Sequence, residues 1–215
     1  MTIVIDGHHF ELHCSGAMLW RERRMLLISD VHIGKVSHFR QHGVAIPPVS
    51  AEANFRKLAK VVDHFQPETI LFLGDLFHSQ KNREWQLFED WMSGVDARVV
   101  LVEGNHDVIA RRHYDELGVV VCEELVDEGF LFTHHPTDRD GYFNFAGHIH
   151  PGIVLRSTGR TSLRLACFFR RGQQLILPAF GEFTGKYTLE PEEGDAVWVV
   201  TKDAVLQVFG TGAGP

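Results

Sequence analysis

Cysteine is scarce in this sequence, and the cysteines present form no recognisable pattern. The 215 residues include only Cys14, Cys122 and Cys167, an odd number at wide spacing and without a CxxC pair. Neither a disulfide framework nor a zinc site built from thiolates is expected. This cysteine usage favours a reducing, cytoplasmic compartment.

Long apolar runs are also missing. No stretch reaches the roughly 18 apolar residues that a membrane-spanning helix requires, so no association with a membrane is predicted. The first residues, from Met1 to Asp6, have neither the basic lead nor the apolar core of a signal peptide, and none is expected.

Positive charge is in deficit, because 28 acidic residues outnumber 21 basic ones and the net charge is -7. This acidity argues against tight non-specific binding to DNA, which depends on lysine and arginine. It says little about the binding of one phosphate group at a metal centre. Two bound divalent ions would add four positive charges to -7, leaving roughly -3 and a locally positive cleft.

The chain contains no internal repeat, low-complexity segment or proline-rich linker. Its length and its hydrophobic content of 44% are enough for one sizeable core. We therefore predict a single domain over residues 1–215.

The first half of the chain alternates between apolar runs typical of strands and segments with helical spacing, whereas the second half contains mainly short strand-like runs. Helices are predicted over residues 50–65, with Ser50 as the N-cap, over residues 84–91 and over residues 108–117. The predicted strands are residues 9–13, 18–28, 69–73, 98–102, 119–121, 130–133, 145–147, 152–155, 163–169, 174–177, 196–200 and 204–208. This order predicts a mixed α/β (α+β) fold with a two-layer β core and helices outside at least one sheet.

Histidine is abundant, with fourteen residues, and part of the excess lies in short polar strings that follow predicted strands. Because strand ends meet at one edge of a sheet, side chains distant in sequence are expected to converge there. Five strings contribute seven candidate metal ligands. The strings are Asp30-Val31-His32, Gly74-Asp75, Gly104-Asn105-His106-Asp107, Thr133-His134-His135-Pro136 and Gly147-His148-Ile149-His150.

The first two strings supply carboxylates. Asp30 and His32 are two positions apart, so at a strand end they can chelate one ion. Asp75 has two oxygens and can bridge two cations, and Gly74 allows a close approach of the backbone. Taken alone, each aspartate is equally consistent with a residue that caps a turn or a helix.

The third string offers a neutral ligand and a candidate acid. The Asn105 carbonyl oxygen limits the negative charge of the site and leaves bound metals Lewis acidic. His106 is the next residue, so its side chain must point in a different direction from that of Asn105. This suits a general acid that is near the metals but not bound to them. The alternative is a simple turn in which Asp107 caps a helix.

The last two strings supply imidazoles. His148 and His150 are two residues apart and can reach two different ions, and His134 or His135 adds one more. Any one of these histidines is also consistent with an ordinary core or surface residue. The occurrence of all five strings at strand ends makes coincidence improbable.

The ordered set DxH, GD, GNH, H and GHxH, which runs from Asp30 to Pro151, resembles the calcineurin-like metallophosphoesterases. The resemblance implies a metallo-dependent phosphatase-like, four-layer αββα sandwich with a binuclear metal site at the strand ends. It implies that His106 protonates the leaving oxygen. The implied ligands are Asp30, His32 and His150 for the first ion, Asn105, His134 and His148 for the second, and Asp75 as the bridge.

One position departs from the commonest form of this family. Many members have GDxxD, whose second aspartate orients the acid histidine, whereas His78 occupies that position here. The string Gly74-Asp75-Leu76-Phe77-His78 is similar to the DNA double-strand-break repair nucleases of the superfamily. Nearly the whole chain, including Leu177-Pro178-Ala179-Phe180-Gly181-Glu182-Phe183-Thr184-Gly185, is similar to the bacterial ligase-associated metallophosphoesterases (PdeM).

This resemblance implies a DNA endonuclease or phosphodiesterase that works beside a DNA ligase and a helicase in repair. The expected mechanism uses two cations about 3.5–4 Å apart and attack by a bridging hydroxide, with His106 as general acid and His78 beside it. Mixed nitrogen and oxygen ligands suit Mn, Fe, Zn or Co, and the resembling nucleases favour Mn.

Two other functions remain open. A small-molecule phosphatase or nucleotide phosphodiesterase would use the same chemistry, and a non-catalytic interaction scaffold would use only the fold. The acidic charge and the absence of an appended DNA-binding domain favour the first alternative. The complete set of candidate ligands argues against the second.

Several basic residues are secondary candidates for contacts with substrate phosphates. Lys35, His38, Arg40 and His42 lie in the irregular segment over residues 35–49, which follows the first ligand pair and is equally consistent with a solvated loop. Two arginine pairs, Arg111-Arg112 and Arg170-Arg171, are further candidates, although such pairs usually lie on exposed faces.

Overall fold

The computed structural model describes residues 1–35, 43, 51–156, 162–182 and 184–210. Among these residues, three helices and sixteen strands form two sheets. The first sheet has the order β1-β2-β3-β4-β5-β6-β7. Its strands are β1 Thr2–Ile5, β2 His8–Leu12, β3 Met18–Trp20, β4 Met25–Ile28, β5 Thr69–Leu73, β6 Arg98–Val102 and β7 Val120–Cys122.

The second sheet begins directly after the first along the chain. Its path is β14-β11-β12-β13-β10-β9-β8, and β15 pairs with both β12 and β16. The strands are β8 Leu125–Asp127, β9 Phe130–Phe132, β10 Phe143–Ala146, β11 Pro151–Arg156, β12 Ser162–Arg171, β13 Gln174–Ile176, β14 Tyr187–Thr188, β15 Ala196–Val200 and β16 Val205–Phe209.

The helices are α1 Ala51–Phe65, α2 Arg83–Met92 and α3 Arg111–Asp115. The apolar face expected for α1 is confirmed, because Phe55, Leu58 and Val61 are buried against the first sheet. Helix α2 is capped by Asn82, whose side-chain oxygen accepts a hydrogen bond of 2.8 Å from the backbone N–H of Glu84. The predicted N-cap Ser50 lies outside the described residues.

The main core lies between the two sheets and is rich in aromatic side chains. Phe10 packs edge to face on Phe130 with ring centroids 5.3 Å apart, and Phe132 stacks on Phe145 at 5.4 Å. The outer face of the first sheet is covered by α1, α2 and α3. The expected mixed α/β class with two packed sheets is confirmed, and in the described part of the chain the helices lie on the first sheet.

The outer face of the second sheet buries a smaller cluster. Cys167, Phe169, Val197 and Val199 of β12 and β15 meet Ile153 of β11 there. Cys167 is fully buried, and burial raises the pKa of its thiol to about 12. This cysteine is therefore a small apolar core residue.

Two predicted elements differ substantially from the structure, and three strands were not predicted. The strand predicted over residues 18–28 is interrupted by the turn Arg21-Glu22-Arg23-Arg24, where Arg24 has a φ of 44°. The helix predicted over residues 108–117 contains only Arg111–Asp115, because Val108 still belongs to the preceding turn and bonds to the His106 carbonyl at 2.8 Å. Strand β1 was missed, and so were the short β8 and β14.

No helix among the described residues is long and apolar enough to cross a membrane.

The parallel strands determine where the candidate site forms. Strands β4, β5, β6 and β7 are parallel neighbours in the first sheet, and β9 and β10 are parallel neighbours in the second. The five polar strings follow β4, β5, β6, β9 and β10. The side chains of these strings are therefore expected to converge at the carboxyl ends of the strands.

Candidate metal centre

Backbone hydrogen bonds join the loops that follow these strands. The N–H of Asp30 donates to the Gly74 carbonyl at 3.2 Å, and the N–H of His32 donates to the Asp75 carbonyl at 2.9 Å. In the second sheet, the N–H of Gly147 donates to the His134 carbonyl at 3.0 Å. These backbone hydrogen bonds hold the loops that carry the candidate ligands in fixed positions relative to one another.

Most candidate ligands lie in a backbone conformation that side chains rarely adopt. Among the described residues, nine non-glycine residues have positive φ, and five of them are candidate ligands. Such a left-handed residue costs about 1–2 kcal/mol and persists only when its surroundings hold it. A single left-handed residue turns the chain sharply after a strand and redirects the next side chain. The five φ values are 53° for Asp30, 51° for His32, 51° for Asp75, 66° for His148 and 52° for His150.

The first group of side chains consists of Asp30, His32 and His150. The Asp30 Oδ1 and His150 Nε2 atoms are 3.0 Å apart, and the two Nε2 atoms of His32 and His150 are 3.3 Å apart. Asp30 is fully buried and His32 is nearly so. Ser29 donates from its hydroxyl to the other Asp30 oxygen, Oδ2, and this leaves Oδ1 facing the imidazoles.

The second group consists of Asn105, His134 and His148. His134 Nε2 lies 3.1 Å from Asn105 Oδ1 and 3.2 Å from His148 Nδ1. His134 Nδ1 lies 2.9 Å from the Leu73 carbonyl, so Nδ1 carries the proton and donates it. The lone pair of His134 is therefore on Nε2, the atom that faces the other candidate ligands.

Asp75 lies between the two groups. Its Oδ2 atom is 3.9 Å from His32 Nε2 in the first group, and its Oδ1 atom is 3.5 Å from His134 Nε2 in the second. Asp75 Oδ1 also accepts a hydrogen bond of 2.9 Å from the backbone N–H of His106. The structure thus brings all seven predicted residues together, with Asp75 in the position of a bridge.

The donor set suits divalent cations of the borderline type, which accept both imidazole nitrogen and carboxylate oxygen. Asp30 Oδ1 is buried and has no well-aligned hydrogen bond within the described residues, although His150 Nε2 is close to it. Lone pairs that converge in this way repel each other unless a proton or a cation lies between them. The residues present therefore fit the divalent metal ions that the chemistry of the motifs requires.

The pKa values of the candidate ligands also favour a bound cation over additional protons at this site. Burial lowers the pKa of His32 to about 3, despite the opposing effect of Asp30. Burial and the neighbouring His135 and His134 lower the pKa of His148. For Asp30, burial acts to raise the pKa, but the contacts with His150 and Ser29 outweigh it and lower the pKa. These shifts favour neutral His32 and His148 and a charged Asp30, the protonation states that metal binding requires.

Glycine is required where the loops pass closest to each other. A Cβ atom on Gly74 would collide with the His134 ring and would lie 2.9 Å from the Gly104 Cα atom. A Cβ atom on Gly147 would collide with the Ser29 hydroxyl and would lie 2.6 Å from Asp30 Oδ2. Both glycines therefore allow candidate ligands to approach each other.

Replacing Gly147 by alanine is expected to destabilise the fold by about 1–3 kcal/mol, because the added methyl group overpacks a site that cannot expand. The same collision displaces Asp30, so the content of bound metal is expected to fall. Urea unfolding and elemental analysis measure the two effects. The control is Gly94→Ala, where the nearest atom, the Trp91 carbonyl oxygen, is 3.7 Å from the new Cβ. Equal effects of both substitutions would contradict this explanation.

Both residues predicted to act in catalysis lie beside the first group. The His106 ring is 4.6 Å from the His78 ring and 5.7 Å from the His32 ring, measured between centroids. The backbone N–H of His78 donates to the Ile33 carbonyl at 2.8 Å, which attaches His78 to the loop of the first group. His78 thus lies between His106 and that loop, although its assigned role stays a prediction.

The remaining residues of the GNH string close a tight turn. The Asp107 carboxylate accepts hydrogen bonds from the backbone N–H of Gly104 at 2.9 Å and of Phe77 at 3.0 Å. Burial raises the pKa of Asp107 to about 7, against the effect of these bonds. Asp107 therefore closes a turn and supports the backbone of Asn105 and His106. It does not cap a helix as the alternative interpretation stated, because Ala110 is the N-cap of α3.

The secondary candidates have different outcomes. Arg111 pairs with Glu103 and Arg171 pairs with Asp195, so both already have carboxylate partners. Lys35 is half-buried, and burial lowers its pKa against the opposing charges of Asp30 and Asp75. His38, Arg40 and His42 lie outside the described residues. His135 is exposed, and its ring centroid is 3.9 Å from that of His148.

Two supporting residues were not identified from the sequence. Asn54 of α1 is buried, and its side chain donates to the Val31 carbonyl at 2.9 Å and accepts from the backbone N–H of Glu182 at 3.2 Å. Asn144 of β10 donates to Thr133 Oγ1 at 2.8 Å beside the His134 loop. For Asn144 the only signal was a polar residue inside an otherwise apolar strand, which does not reveal its partner. Asn54 lies among other polar residues of an amphipathic helix and gave no signal.

Comparison with known proteins agrees with this geometry. Residues 23–165 match the family model described as calcineurin-like phosphoesterase. The crystal structure of Pseudomonas putida nuclease MPE is 30% identical, with a TM-score of 0.78, and the alignment covers 97% of this chain and 99% of that one. The structure of Yfce, a phosphoesterase from E. coli, is 13% identical over 86% of this chain and 97% of that chain, with a TM-score of 0.44. No curated protein matches the chain significantly.

The family match extends over more than half of the sequence and includes every candidate ligand from Asp30 to His150. The nuclease alignment extends the similarity to nearly the whole chain. The chain belongs to the calcineurin-like phosphoesterase family and is a metal-dependent phosphoesterase.

Proposed function

We propose that this protein is a binuclear-metal-dependent nuclease that hydrolyses phosphodiester bonds in DNA. The observation that carries the proposal is the position of Asp75 between two groups of ligand atoms, with the backbone N–H of His106 bonded to the same carboxylate. One aspartate thus connects both candidate metal positions to the candidate acid.

The seven side chains have separate roles in this proposal. Asp30, His32 and His150 would hold one divalent ion, Asn105, His134 and His148 would hold the other, and Asp75 would contact both. Bound divalent ions would supply Lewis acidity toward phosphoryl oxygens and lower the pKa of water at neutral pH. The neutral Asn105 keeps the total charge of the ligands low and so preserves that acidity.

The protein itself supplies the proton for the leaving group. A sugar alkoxide leaves poorly unless it is protonated as the bond to phosphorus breaks, and a positioned histidine is suited to donate that proton. His106 is the candidate because it is beside the first group and its backbone is held by Asp75. His78 packs against His106 and would orient its ring.

DNA is proposed as the substrate because the nuclease MPE of Pseudomonas putida aligns with nearly the whole chain. A role in repair, with a DNA ligase and a helicase as functional partners, and Mn as the activating metal belong to the same proposal. The alternative is a small-molecule phosphatase or nucleotide phosphodiesterase, which the net charge of -7 favours.

A direct comparison of substrates tests the proposal. The Mn-loaded protein is incubated with supercoiled plasmid, with single-stranded DNA and with a panel of nucleotides and cyclic nucleotides. We expect nicks or breaks in DNA at a rate above that for the small esters. Hydrolysis of nucleotides without any DNA cleavage at low or high salt would refute the nuclease and support the alternative.

Removal of metal is expected to abolish hydrolysis and to lower thermal stability. A ligand present at about 100 times its Kd stabilises the native state by about 2.7 kcal/mol, and the buried Asp30 loses its counter-charge when the metal leaves. Differential scanning fluorimetry before and after chelation, followed by titration with Mn, measures the loss and its recovery. Activity that survives complete removal of metal, verified by elemental analysis, would contradict the assignment.

A further inference from the structure

A second concave surface lies on α1, outside the metal centre. It is a cavity of about 610 Å³ lined mainly by basic side chains, here called the basic pocket. Its basic residues are His13, Arg56, Lys57, Lys60, His64 and Lys202. Glu182 is the one carboxylate among the described residues that line it.

The basic residues of this pocket come from separate parts of the chain. Arg56, Lys57 and Lys60 belong to α1, Lys202 follows β15, and His13 follows β2. A solvated helix face would carry its charges on one element and project them outward. Convergence of Lys202 with the cations of α1 around one cavity, in a protein with a net charge of -7, instead concentrates positive potential at one place.

Lys57 is the innermost cation of the basic pocket. Among the described residues its ammonium group makes one hydrogen bond, to the Phe180 carbonyl at 2.7 Å, and it lies 4.3 Å from the centroid of the Phe180 ring. An ammonium group has three N–H donors, so this bond uses one of them. Burial lowers the pKa of Lys57 and also of His13, and a bound anion would oppose both effects.

The basic pocket adjoins the candidate metal centre through one segment. The Phe180 N–H donates to the Ser29 carbonyl at 2.9 Å, and the Gly181 N–H donates to the Asp30 carbonyl at 3.1 Å. Glu182 lines the basic pocket and also a small cavity of about 60 Å³ that is lined by His150. The basic pocket and the candidate metal ligands are therefore connected through the backbone of residues 180–182.

We propose that the basic pocket binds a backbone phosphate of the nucleic-acid strand, at a position that flanks the phosphodiester cleaved at the metal centre. The proposal rests on the nuclease function proposed above. A strand that carries one negative charge per nucleotide gains affinity from each lysine that neutralises a phosphate, because counterions are released. The pocket lets this acidic protein hold a DNA strand at a fixed position relative to the metal centre.

The test removes two exposed cations of the basic pocket. The double variant Lys60→Ala/Lys202→Ala is compared with Arg98→Ala/Arg164→Ala, which lowers the net charge equally at exposed positions outside the pocket. Arg98 begins β6, whereas the candidate ligand Asn105 lies beyond the opposite end of that strand. The control thus separates the effect of this pocket from the effect of charge alone.

Binding is measured by fluorescence anisotropy with the Mn-loaded protein and a short labelled single strand with phosphorothioate linkages, which keep the charge and resist cleavage. In the pocket variant we expect Kd to rise about 5- to 10-fold. The slope of log Kd against log salt is expected to become shallower by about 0.7 for each phosphate that the variant no longer neutralises. Hydrolysis of bis-p-nitrophenyl phosphate, which has a single phosphate group and no flanking one, is expected to match the wild type.

The outcomes separate the two proposals. An unchanged Kd in the pocket variant, or an equal rise in both variants, overturns the pocket. Binding of inorganic phosphate that depends on Lys60 and Lys202, together with an unchanged Kd for DNA in the pocket variant, assigns the site to free phosphate and also overturns the proposal. The expected rise in Kd, combined with no cleavage of unmodified DNA by the wild type, supports the pocket and refutes the nuclease.

Discussion

Replacing Asp75 by asparagine is expected to lower kcat/KM for phosphodiester hydrolysis by about 10³-fold or more. Asp75 is buried, and its two oxygens face His32 in one group and His134 in the other. The amide removes the negative charge shared by both candidate metal positions. A loss of about 4 kcal/mol of transition-state stabilisation, a typical size for metal-assisted charge stabilisation, corresponds to this factor.

Elemental analysis shows whether the effect acts through the metals. We expect Asp75→Asn to retain fewer than two ions per chain after loading with Mn, while the circular dichroism spectrum stays close to that of the wild type. The matched control is Asp195→Asn. Asp195 is also buried, but its carboxylate pairs with Arg171 at 2.7 Å on the second sheet.

The control is expected to show the opposite pattern. Loss of the Asp195 carboxylate leaves Arg171 without that partner, so Tm falls while the metal content and turnover remain. If Asp75→Asn instead keeps both ions and loses less than about ten-fold in activity, a contribution under about 1.4 kcal/mol, the bridging role is wrong.

Replacing His106 by alanine is expected to slow DNA cleavage by about 10²–10⁴-fold while the metal content stays unchanged. The side chain is near the first group, but the seven candidate ligands do not include it. Its loss removes the proton donor for a sugar alkoxide. The backbone N–H that bonds to Asp75 is still present in alanine, so the bridge keeps this hydrogen bond.

The leaving group distinguishes this role from a structural one. p-Nitrophenolate departs without protonation, so bis-p-nitrophenyl phosphate should lose much less activity than DNA in the His106→Ala variant. His113→Ala serves as the control, because His113 lies on α3 beside Glu116 and Lys81. An equal loss for both substrates would eliminate the general-acid assignment.

The sequence predicted the buried parallel strands best. The boundaries of β5 and β6 match the predicted residues 69–73 and 98–102, because these runs are apolar after their first residue and are followed by glycine-containing turns. The strand predicted over residues 18–28 was divided because Arg21 to Arg24 form a turn between β3 and β4. Short edge elements such as β14, with two residues, carry too little pattern to be recognised.

The convergence of the candidate ligands was also predictable, since it follows from the order of strands and the position of their ends. Its detailed form was not. The left-handed backbone at Asp30 and His148 depends on contacts between loops that are 118 residues apart, such as the bond from His148 N–H to Asp30 Oδ2 at 3.0 Å. The basic pocket depends on the same kind of long-range approach, between α1 and residues that follow β2 and β15.

The division of the candidate ligands between the two sheets has a consequence for the order of events in folding. Asp30, His32, Asp75 and Asn105 follow strands of the first sheet, whereas His134, His148 and His150 follow strands of the second. A refolding chain cannot assemble either group until the aromatic layer between the sheets has closed. We therefore expect uptake of a divalent cation to report the last stage of folding, and the added cation to stabilise the folded protein without accelerating its collapse.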